Sequence, residues 1–449
     1  MNRAVALRDD ETLAPSRYLT TVQSAPAPVS RPVATVGIVG LGYVGLPTAL
    51  AFVAAGAPVV GIDISATRIA DIERVDVDLL DSDRFRLRQA MSGQRLHLTT
   101  DVTMLATVDV VIVCVPTPVD EHLVPDLGPL RAACAMVVGQ ARPGQCLMLT
   151  STSYVGTTRD LLVRPLQRRG MEIGTDIHVV FSPERIDPGR VSHQQESVPR
   201  VLGGVTDACA LRGADVVSGI APAVHVVSSP EAAEFTKLYE NTFRAVNIAF
   251  ANEMADVAGQ FDLDITEVID AADSKPFGFM AFRPGPGVGG HCIPCDPHYL
   301  LWDLRARRAG APLVEAAMSR LAARPGQIVD RALGALAGRG RSIVDARVAV
   351  VGVTYKPNVQ DVRESPALEI IGALVALGAD VSFVDPLVPA VTSTDGRPVP
   401  RVERPADVEW DIAIVHTVHR ESDVNWLDDV PVVLDATYRL APAINRLVP

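Results

Sequence analysis

Two stretches in which short Val/Ile-rich runs alternate with amphipathic segments, separated by one long amphipathic stretch, predict an α/β protein with two doubly wound domains joined by a long central helix. The apolar runs ATVGIVG, PVVGIDI, VDVVIVCVP, CLMLTST and IHVVFSPE are each followed or preceded by helix-like sequence, the pattern of a parallel sheet covered on both faces. Ahead of them, residues 1–32 are rich in Ala, Pro, Ser and Thr without periodicity and read as a flexible arm, so the first domain is expected over 33–228. From Ser229 to about Gln260, EAAEFTKLYENTFRAVNIAFANEMADVAGQ carries no proline and one late glycine, which predicts one long helix. Helical sequence continues to about Gly338, interrupted by FRPGPGVGGHCIPCDP, whose Gly and Pro content excludes a regular helix or central strand and reads as a functional loop within a middle region 229–340. From Arg347, RVAVVGVTY, SPALEIIGALVALGA, DVSFVDP, DIAIVHTV and VPVVLDAT restart the alternation as a second, smaller domain, 341–449.

The balance of residues narrows the function. With 449 residues, 48% hydrophobic and 21% charged, the chain can bury more than one core. A net charge of −12 lacks the Lys/Arg field that a nucleic-acid surface requires, leaving small molecules as the expected partners. No apolar run reaches the roughly 20 residues that cross a bilayer, and the N-terminus carries acids where a signal peptide is apolar, so a cytoplasmic enzyme without membrane partners is expected. Six cysteines are too few for a disulfide framework in a chain of this length, and reduced thiols are expected, with no metal site.

Gly40, Gly42 and Gly45 form a GxGxxG, with Tyr43 and Val44 inside it, that follows a strand pattern and opens a helix; Asp63 closes the next strand 63 − 45 = 18 residues on. Such glycines permit a tight turn and close approach of a pyrophosphate to a helix N-terminus, and the acid holds the adenosine ribose hydroxyls. The expected cofactor is NAD in preference to its phosphorylated form, against the plainer reading of three glycines in an ordinary strand–helix turn. Arg68, at the start of the next helix, stacks on adenine or is a solvated charge.

In PGPGVGGHCIPCDP, Cys292 stands among glycines with Asp296 one helical turn later. Covalent oxidation through a thiol needs a thiolate, donors for the oxyanion and a group that positions water, which this grouping offers. The alternatives are a buried structural thiol or a CxxC redox or metal pair with Cys295; without a thioredoxin-like context or a second ligand pair, Cys295 reads as packing. On the long helix, Lys237 and Asn241 are spaced i,i+4, and Asn252 falls near the same face three turns on, a pattern shared by a site and a solvated stripe.

Taken together, VGIVGLGYVGLPTAL, VCVPTPVD, TSTSYVGTT, FSPERIDPG, EFTKLYENTFRAVNIAFANE, PGPGVGGHCIPCDP and VGVTYKPNVQDVRESPALEI resemble the nucleotide-sugar dehydrogenase family, the UDP-glucose, UDP-N-acetylhexosamine and GDP-mannose 6-dehydrogenases, from Val33 to the C-terminus. The resemblance implies two Rossmann-like domains, a homodimer around the long helix, and two successive NAD-dependent oxidations of the hexose 6-hydroxymethyl to a carboxylate. It implies that Cys292 forms a thiohemiacetal and then a thioester, that Lys237 and Asn241 hold the oxyanion, that Asp296 assists proton transfer, and that Thr152 and Glu184 order water and contact cofactor and substrate. Pro116 and Thr117 join the cofactor set; Arg185, Gly285, Gly289, Lys356 and Arg439 join the substrate set, while Arg363 is structural or substrate-binding. GGHC in place of GGSC, and SPERIDPG with Asp187 and Pro188 in place of an NPEFLREG-like stretch, resemble the N-acetylhexosamine branch, although Cys295 and His298 depart from it. UDP- or dTDP-glucose is the alternative substrate. A two-electron hydroxyacid dehydrogenase or an inactive binding relative are the alternatives of other classes.

Overall fold

The computed structural model describes residues 20–23, 34–77, 79, 81–185, 195–290, 292–393, 395–441 and 443–449. Asp187, Pro188 and His291, used above to sort the substrate branch, lie outside the described residues, as does most of the segment 1–32. The chain divides into two compact units, one reaching to Thr117 and taking in Asp126–Lys237, the other made of Pro118–Pro125 and Leu238–Pro449.

The first unit holds β1 (Thr20–Gln23), β2 (Val36–Val39), β3 (Val59–Ile62), β4 (Leu96–Thr99), β5 (Val110–Val113), β6 (Cys146–Leu149), β7 (His178–Phe181), β8 (Arg200–Gly204) and β9 (Ala223–Val227). They form one sheet in the order β1-β9-β8-β7-β6-β5-β2-β3-β4, parallel except at β7/β8 and β1/β9. The run β4-β3-β2-β5-β6-β7 is the dinucleotide-binding order, with the direction of winding reversing between β2 and β5. The unbroken apolar runs follow from burial on both faces. Val36, Ile38, Val110 and Ile112 point into one core while Val39, Val111 and Val113 point into the other. Helices α1 (Gly45–Ala54), α2 (Ala66–Glu73), α3 (Asp81–Ser92) and α6 (Asp207–Val217) cover the first core, and α4 (Gly128–Gln140) with α5 (Arg164–Arg168) the second.

The arm 1–32 was expected to be flexible throughout, and β1 corrects that: Thr20–Gln23 pairs antiparallel with β9, from Thr20 opposite Val226 to Gln23 opposite Ala223. Two threonines and a valine suit a strand, and the backbone of β9 would otherwise be an unpaired edge.

Helix α7 (Pro230–Gly259) places residues 230–237 in the first unit and the remainder in the second. The second unit continues with α8 (Ile265–Asp273), α9 (Cys292–Ala306), α10 (Pro312–Ala337), β10 (Arg347–Val351), α11 (Pro366–Ala376), β11 (Asp380–Val384), β12 (Val391–Thr392), β13 (Pro398–Val399), β14 (Ile412–Val415), β15 (Val433–Asp435) and β16 (Arg446–Leu447). Its main sheet, β11-β10-β14-β15-β16, is parallel throughout, and β12/β13 form a small antiparallel pair. Val348 and Val350 pack on α10 and α11, while Ala349 and Val351 face Trp410, Trp426 and Leu427. The two doubly wound domains and the long helix between them are thus as the alternation predicts. One expectation fails locally: CIPCDP is helical, not loop, because Pro294 sits in the first turn of α9, where a missing N–H costs nothing, and Pro297 is the one proline tolerated inside.

Candidate active site

In the first unit the candidate cofactor residues collect at the carboxyl ends of β2, β3, β5 and β6. Three glycines do three separate things. Gly40 has φ +88°, and a Cβ there would lie 2.5 Å from the Cys114 carbonyl oxygen; a Cβ at Gly45 would lie 1.8 Å from the Gly40 oxygen; at Gly42 it would meet no protein atom within 4 Å. The first fixes the turn, the third lets α1 close on β2, and the second leaves the backbone open to a pyrophosphate. Asp63 is pre-aimed: the Leu41 N–H donates to Oδ2 and the Ser65 N–H to Oδ1, each at 2.9 Å. Each carboxylate oxygen retains a lone pair for a ribose hydroxyl, so these residues fit NAD. Arg68 is neither freely solvated nor loose, since its Nε donates to the Leu41 carbonyl at 2.9 Å and ties α2 to the glycine turn. Pro116 and the buried Thr117 follow β5, and the Val115 N–H donates to Ser151 Oγ at 2.9 Å, which brings the segment carrying the half-buried Thr152 alongside them.

Two buried charges that the sequence reading missed hold this end of the unit. Arg200 Nη2 lies 2.7 Å from Glu184 Oε2, both side chains being buried, and Arg185 reaches the Pro199 carbonyl at 2.9 Å. Glu234, one turn before Lys237 on α7, accepts from the Gly156 N–H at 2.5 Å, the Thr158 N–H at 2.8 Å and the Thr158 hydroxyl at 2.7 Å, fixing the loop that begins at Thr152. Burial, with Glu231 nearby, pushes the Glu234 carboxyl up to about 7 against the pull of those donors.

In the second unit, Cys292 opens α9 and is exposed, and Asp296 one turn later is buried and accepts from Asn241 Nδ2. Lys237, Asn241 and Asn252 are all buried, which removes the solvated-stripe reading of α7. The glycine loop lies against the segment 355–366: a Cβ at Gly289 would meet the Glu364 oxygen at 2.4 Å, and one at Gly290 the Tyr355 ring at 2.8 Å, while the Gly290 N–H donates to the Arg363 carbonyl at 3.1 Å. Lys356 follows Tyr355 and sits 5.7 Å over its ring centroid. The Gly285 peptide is gripped on both sides, by Asn252 Oδ1 on its N–H at 2.8 Å and by Arg324 Nε on its carbonyl at 3.1 Å, and a Cβ there would meet nothing within 4 Å. Arg324, which no motif flagged, also donates to Asp256 at 2.8 Å and to the Tyr438 hydroxyl at 2.8 Å. Arg439, next to Tyr438, is exposed and anchored through its N–H to Asp435 at 3.0 Å. Arg363 forks onto Asp361, at 2.7 Å for the shortest contact, the arrangement of a structural pair.

The six thiols are sharply unequal. Five are buried, and burial pushes Cys114, Cys134, Cys146 and Cys295 up to about 12. Cys295 therefore packs, as expected. Among the described residues no group of three or more His, Cys, Asp or Glu could hold a metal ion, and no helix is long and apolar enough to cross a membrane.

A dinucleotide-binding domain followed by a second doubly wound domain is the architecture of an NAD-dependent oxidoreductase. The descriptions of the UDP-glucose/GDP-mannose dehydrogenase family match in three segments: the NAD binding domain over residues 34–220, the central domain over 231–320 and the UDP binding domain over 349–441. The chain is 34% identical over 388 residues to UDP-N-acetyl-D-glucosamine 6-dehydrogenase of Pseudomonas aeruginosa, covering 86% of this chain and 90% of that protein. It is 32% identical over 349 residues to UDP-N-acetyl-D-mannosamine dehydrogenase of Escherichia coli (strain K12), covering 75% and 81%. The structure of a UDP-D-ManNAc dehydrogenase from Pyrococcus horikoshii superimposes with a TM-score of 0.84 at 29% identity over 92% of this chain and 98% of that one. The chain belongs to the UDP-glucose/GDP-mannose dehydrogenase family. Its cofactor is NAD.

Two predictions follow from the burial of these groups. Brief alkylation of the native protein by iodoacetamide will label Cys292 ahead of the other five thiols, as read by peptide mass spectrometry; equal labelling of Cys295 would overturn the burial pattern. For Glu234, a carboxyl that binds its proton more tightly folded (about 7) than unfolded (4.5) has its contribution intact below pH 4.5 and loses it as pH rises to 7. The difference of about 2.5 units corresponds to about 3 kcal/mol. Glu234→Gln removes that slope, so between pH 5 and pH 8 the urea midpoint of wild type will fall relative to that of the variant; parallel slopes would show that Glu234 titrates normally.

Proposed function

We propose that this enzyme oxidises the 6-hydroxymethyl of a UDP-N-acetylhexosamine to the carboxylate in two successive steps, with Cys292 as covalent catalyst. The observation that carries the reading is the exposed thiol at the first residue of α9, followed one turn later by an aspartate that Asn241 holds in place. The names of the relatives, dehydrogenases of UDP-N-acetylglucosamine and UDP-N-acetylmannosamine, support the acetylated sugar.

NAD, when bound, accepts the hydride removed from C6 in each step. Lys237 takes the hydroxyl proton in the first oxidation and then, with Asn241, holds the oxygen as charge develops on it. The Cys292 thiolate adds to the aldehyde carbon as the C=O π pair moves to oxygen and takes the proton back from Lys237, giving a thiohemiacetal that stays attached to the protein; loss of the second hydride, with the hydroxyl proton returned to Lys237, leaves a thioester. Water positioned by Asp296, with Thr152 and Glu184, cleaves the C–S bond, giving the carboxylate and restoring the thiol. Gly285, Gly289, Lys356, Arg185 and Arg439 hold the nucleotide sugar, Gly285 by open backbone, Gly289 by letting the loop close on the segment that carries Lys356, and the cations by charge. Asp63 receives the adenosine ribose.

We further propose a cytoplasmic homodimer built on α7. Tyr239, Phe243, Phe250 and Val257 are exposed and follow one another at steps of four and seven residues, a single apolar face suited to a second copy of itself. Six thiols outside any disulfide suit a reducing compartment.

Incubation with NAD and a panel of UDP-, dTDP- and GDP-sugars will give two NADH per sugar and a new carboxylate with UDP-N-acetylhexosamines; a preference for unsubstituted glucose would overturn the sugar assignment, and one NADH per sugar the four-electron chemistry. Cys292→Ala will reduce turnover by about a thousandfold or more while NAD still binds, whereas Cys295→Ala will not. Light scattering will give twice the chain mass for wild type and a monomer for Phe250→Glu; a monomeric wild type would refute the dimer.

A further inference from the structure

The ends of two strands in this chain are built alike. After β2, the Gly40 N–H (φ +88°) donates to the Ile62 carbonyl at 2.8 Å, and Asp63 receives the Leu41 and Ser65 N–H groups on its two oxygens. After β10, the Gly352 N–H (φ +75°) donates to the Val384 carbonyl at 2.8 Å, and Asp385 receives the Val353 and Leu387 N–H groups on its two oxygens, each at 2.8 Å. The frame is the same; its use is not. Asp63 is partly exposed, whereas Asp385 retains 2% exposure and has His419 Nε2 3.2 Å from Oδ2.

The tautomer of His419 follows from its partners. The Asn358 N–H donates to Nδ1 at 2.9 Å, so Nδ1 is an acceptor and the neutral ring carries its proton on Nε2, facing Asp385 and, at 3.4 Å, the Thr354 hydroxyl. Thr354 Oγ1 in turn donates to the Lys356 carbonyl at 2.9 Å, and Asn358 Oδ1 accepts from the Arg420 N–H at 2.9 Å. Lys356 therefore lies in a turn braced at 354, 356 and 358 by the imidazole and its immediate neighbours. The long Lys356 stem leaves the chain at a backbone position that these bonds fix, and its Nζ lies 5.7 Å from the Tyr355 ring centroid.

We propose that His419, oriented by Asp385, is the positioning residue for Lys356, and that through this turn it sets the affinity of the second domain for the diphosphate of the nucleotide sugar. The carboxylate that serves a ribose in the first domain here serves a turn of the chain itself. The proposal rests on the role given to Lys356 under the proposed function.

Calorimetric titration of the full-length protein with UDP, together with KM and kcat for UDP-N-acetylglucosamine, tests it. His419→Gln will weaken UDP binding and raise the sugar KM about tenfold, with kcat within about threefold and NAD binding unchanged. Asp385→Asn will do the same, because its amide opposes the Nε2 proton and turns the other tautomer against the Asn358 N–H. In a Lys356→Met background, His419→Gln will add less than about twofold, since the group it positions is gone. An equal effect of His419→Gln with and without Lys356, or a joint fall of kcat and NAD binding that tracks the unfolded fraction, overturns the proposal. Where His419→Gln does not fold, Thr354→Val carries the same comparison, with an expected loss of about threefold that vanishes in Lys356→Met. If Lys356→Met binds UDP as tightly as wild type, the proposal falls with the role of Lys356. If wild type turns over no nucleotide sugar, the proposed function fails instead, and UDP titration still reads the coupling.

Discussion

Holding a guanidinium with 1% exposure out of water costs several kcal/mol unless its N–H groups are answered. Arg324 is that group, and the second unit is arranged around answering it. Its partners come from α7 (Asp256), the glycine loop (Gly285), α10 itself (Gln327) and the turn after β15 (Tyr438), segments far apart in sequence that one planar cation draws together. The dependence runs both ways. A loop with four glycines and two prolines has no preferred conformation of its own, so the Gly285 carbonyl bonded to Arg324 and the Gly285 N–H bonded to Asn252 supply the order that composition withholds. Tyr438, at φ +57°, holds a backbone conformation that costs a non-glycine residue of order 1 kcal/mol, offset by a hydroxyl that accepts from Arg324 and donates to the Pro449 carbonyl at 2.6 Å.

The same logic recurs at each loop that carries a candidate group. Glu234 holds the loop beginning at Thr152, Arg200 holds Glu184, Asn241 holds Asp296 and Arg324 holds Gly285, and in each case the supporting side chain is buried and belongs to a different element. A parallel sheet delivers loops to one edge but does not fix their conformation. Buried polar partners do, because a misplaced loop would leave a charge or a donor unpaired in low dielectric, which is dearer than the loop's entropy. Specifying the site thus costs the core some apolar packing at these positions.

That division explains what could be read in advance. The strands β2, β3, β5, β6, β7, β10, β14 and β15 were legible because burial on both faces writes apolar runs, the edge strand β11 because DVSFV alternates, and the fingerprint because Gly40, Gly42, Gly45 and Asp63 each answer a separate local demand. β4 was not, since LHLT is only partly buried at a sheet edge and shows no run. β8 hid behind Gly203 and Gly204, whose lost side chains make room for the Ser229 carbonyl and the Ala210 backbone at 2.0 and 2.3 Å, a demand made by tertiary packing alone. Arg200, Glu234, Arg324 and His419 carry no motif because the charged or loop groups they hold, Glu184, Thr158, Gly285 and Asp385, lie 16, 76, 39 and 34 residues away, and nothing local distinguishes them from surface charges. The start of α9 at Cys292 was masked by its prolines, whose effect reverses in a first turn.

Cys292 and Cys295 stand three residues apart on the same turn of α9, and their contrast shows how position, not residue type, assigns the chemistry. Cys295 faces inward, where burial and the neighbouring Asp296 push its thiol up to about 12, so it stays protonated and inert at neutral pH. Cys292 faces out at the first residue of the helix, where N–H groups without intrahelical partners and their dipoles favour an anion. Rotating the helix start by one residue in either direction would exchange access for packing. What sets that register is the pinning of the loop ahead of it, through Gly290 to Arg363 and through Gly285 to Arg324, together with the Asn241 bond that fixes Asp296 behind it. The exposed position at the start of α9 is therefore framed by buried polar contacts on both sides of it.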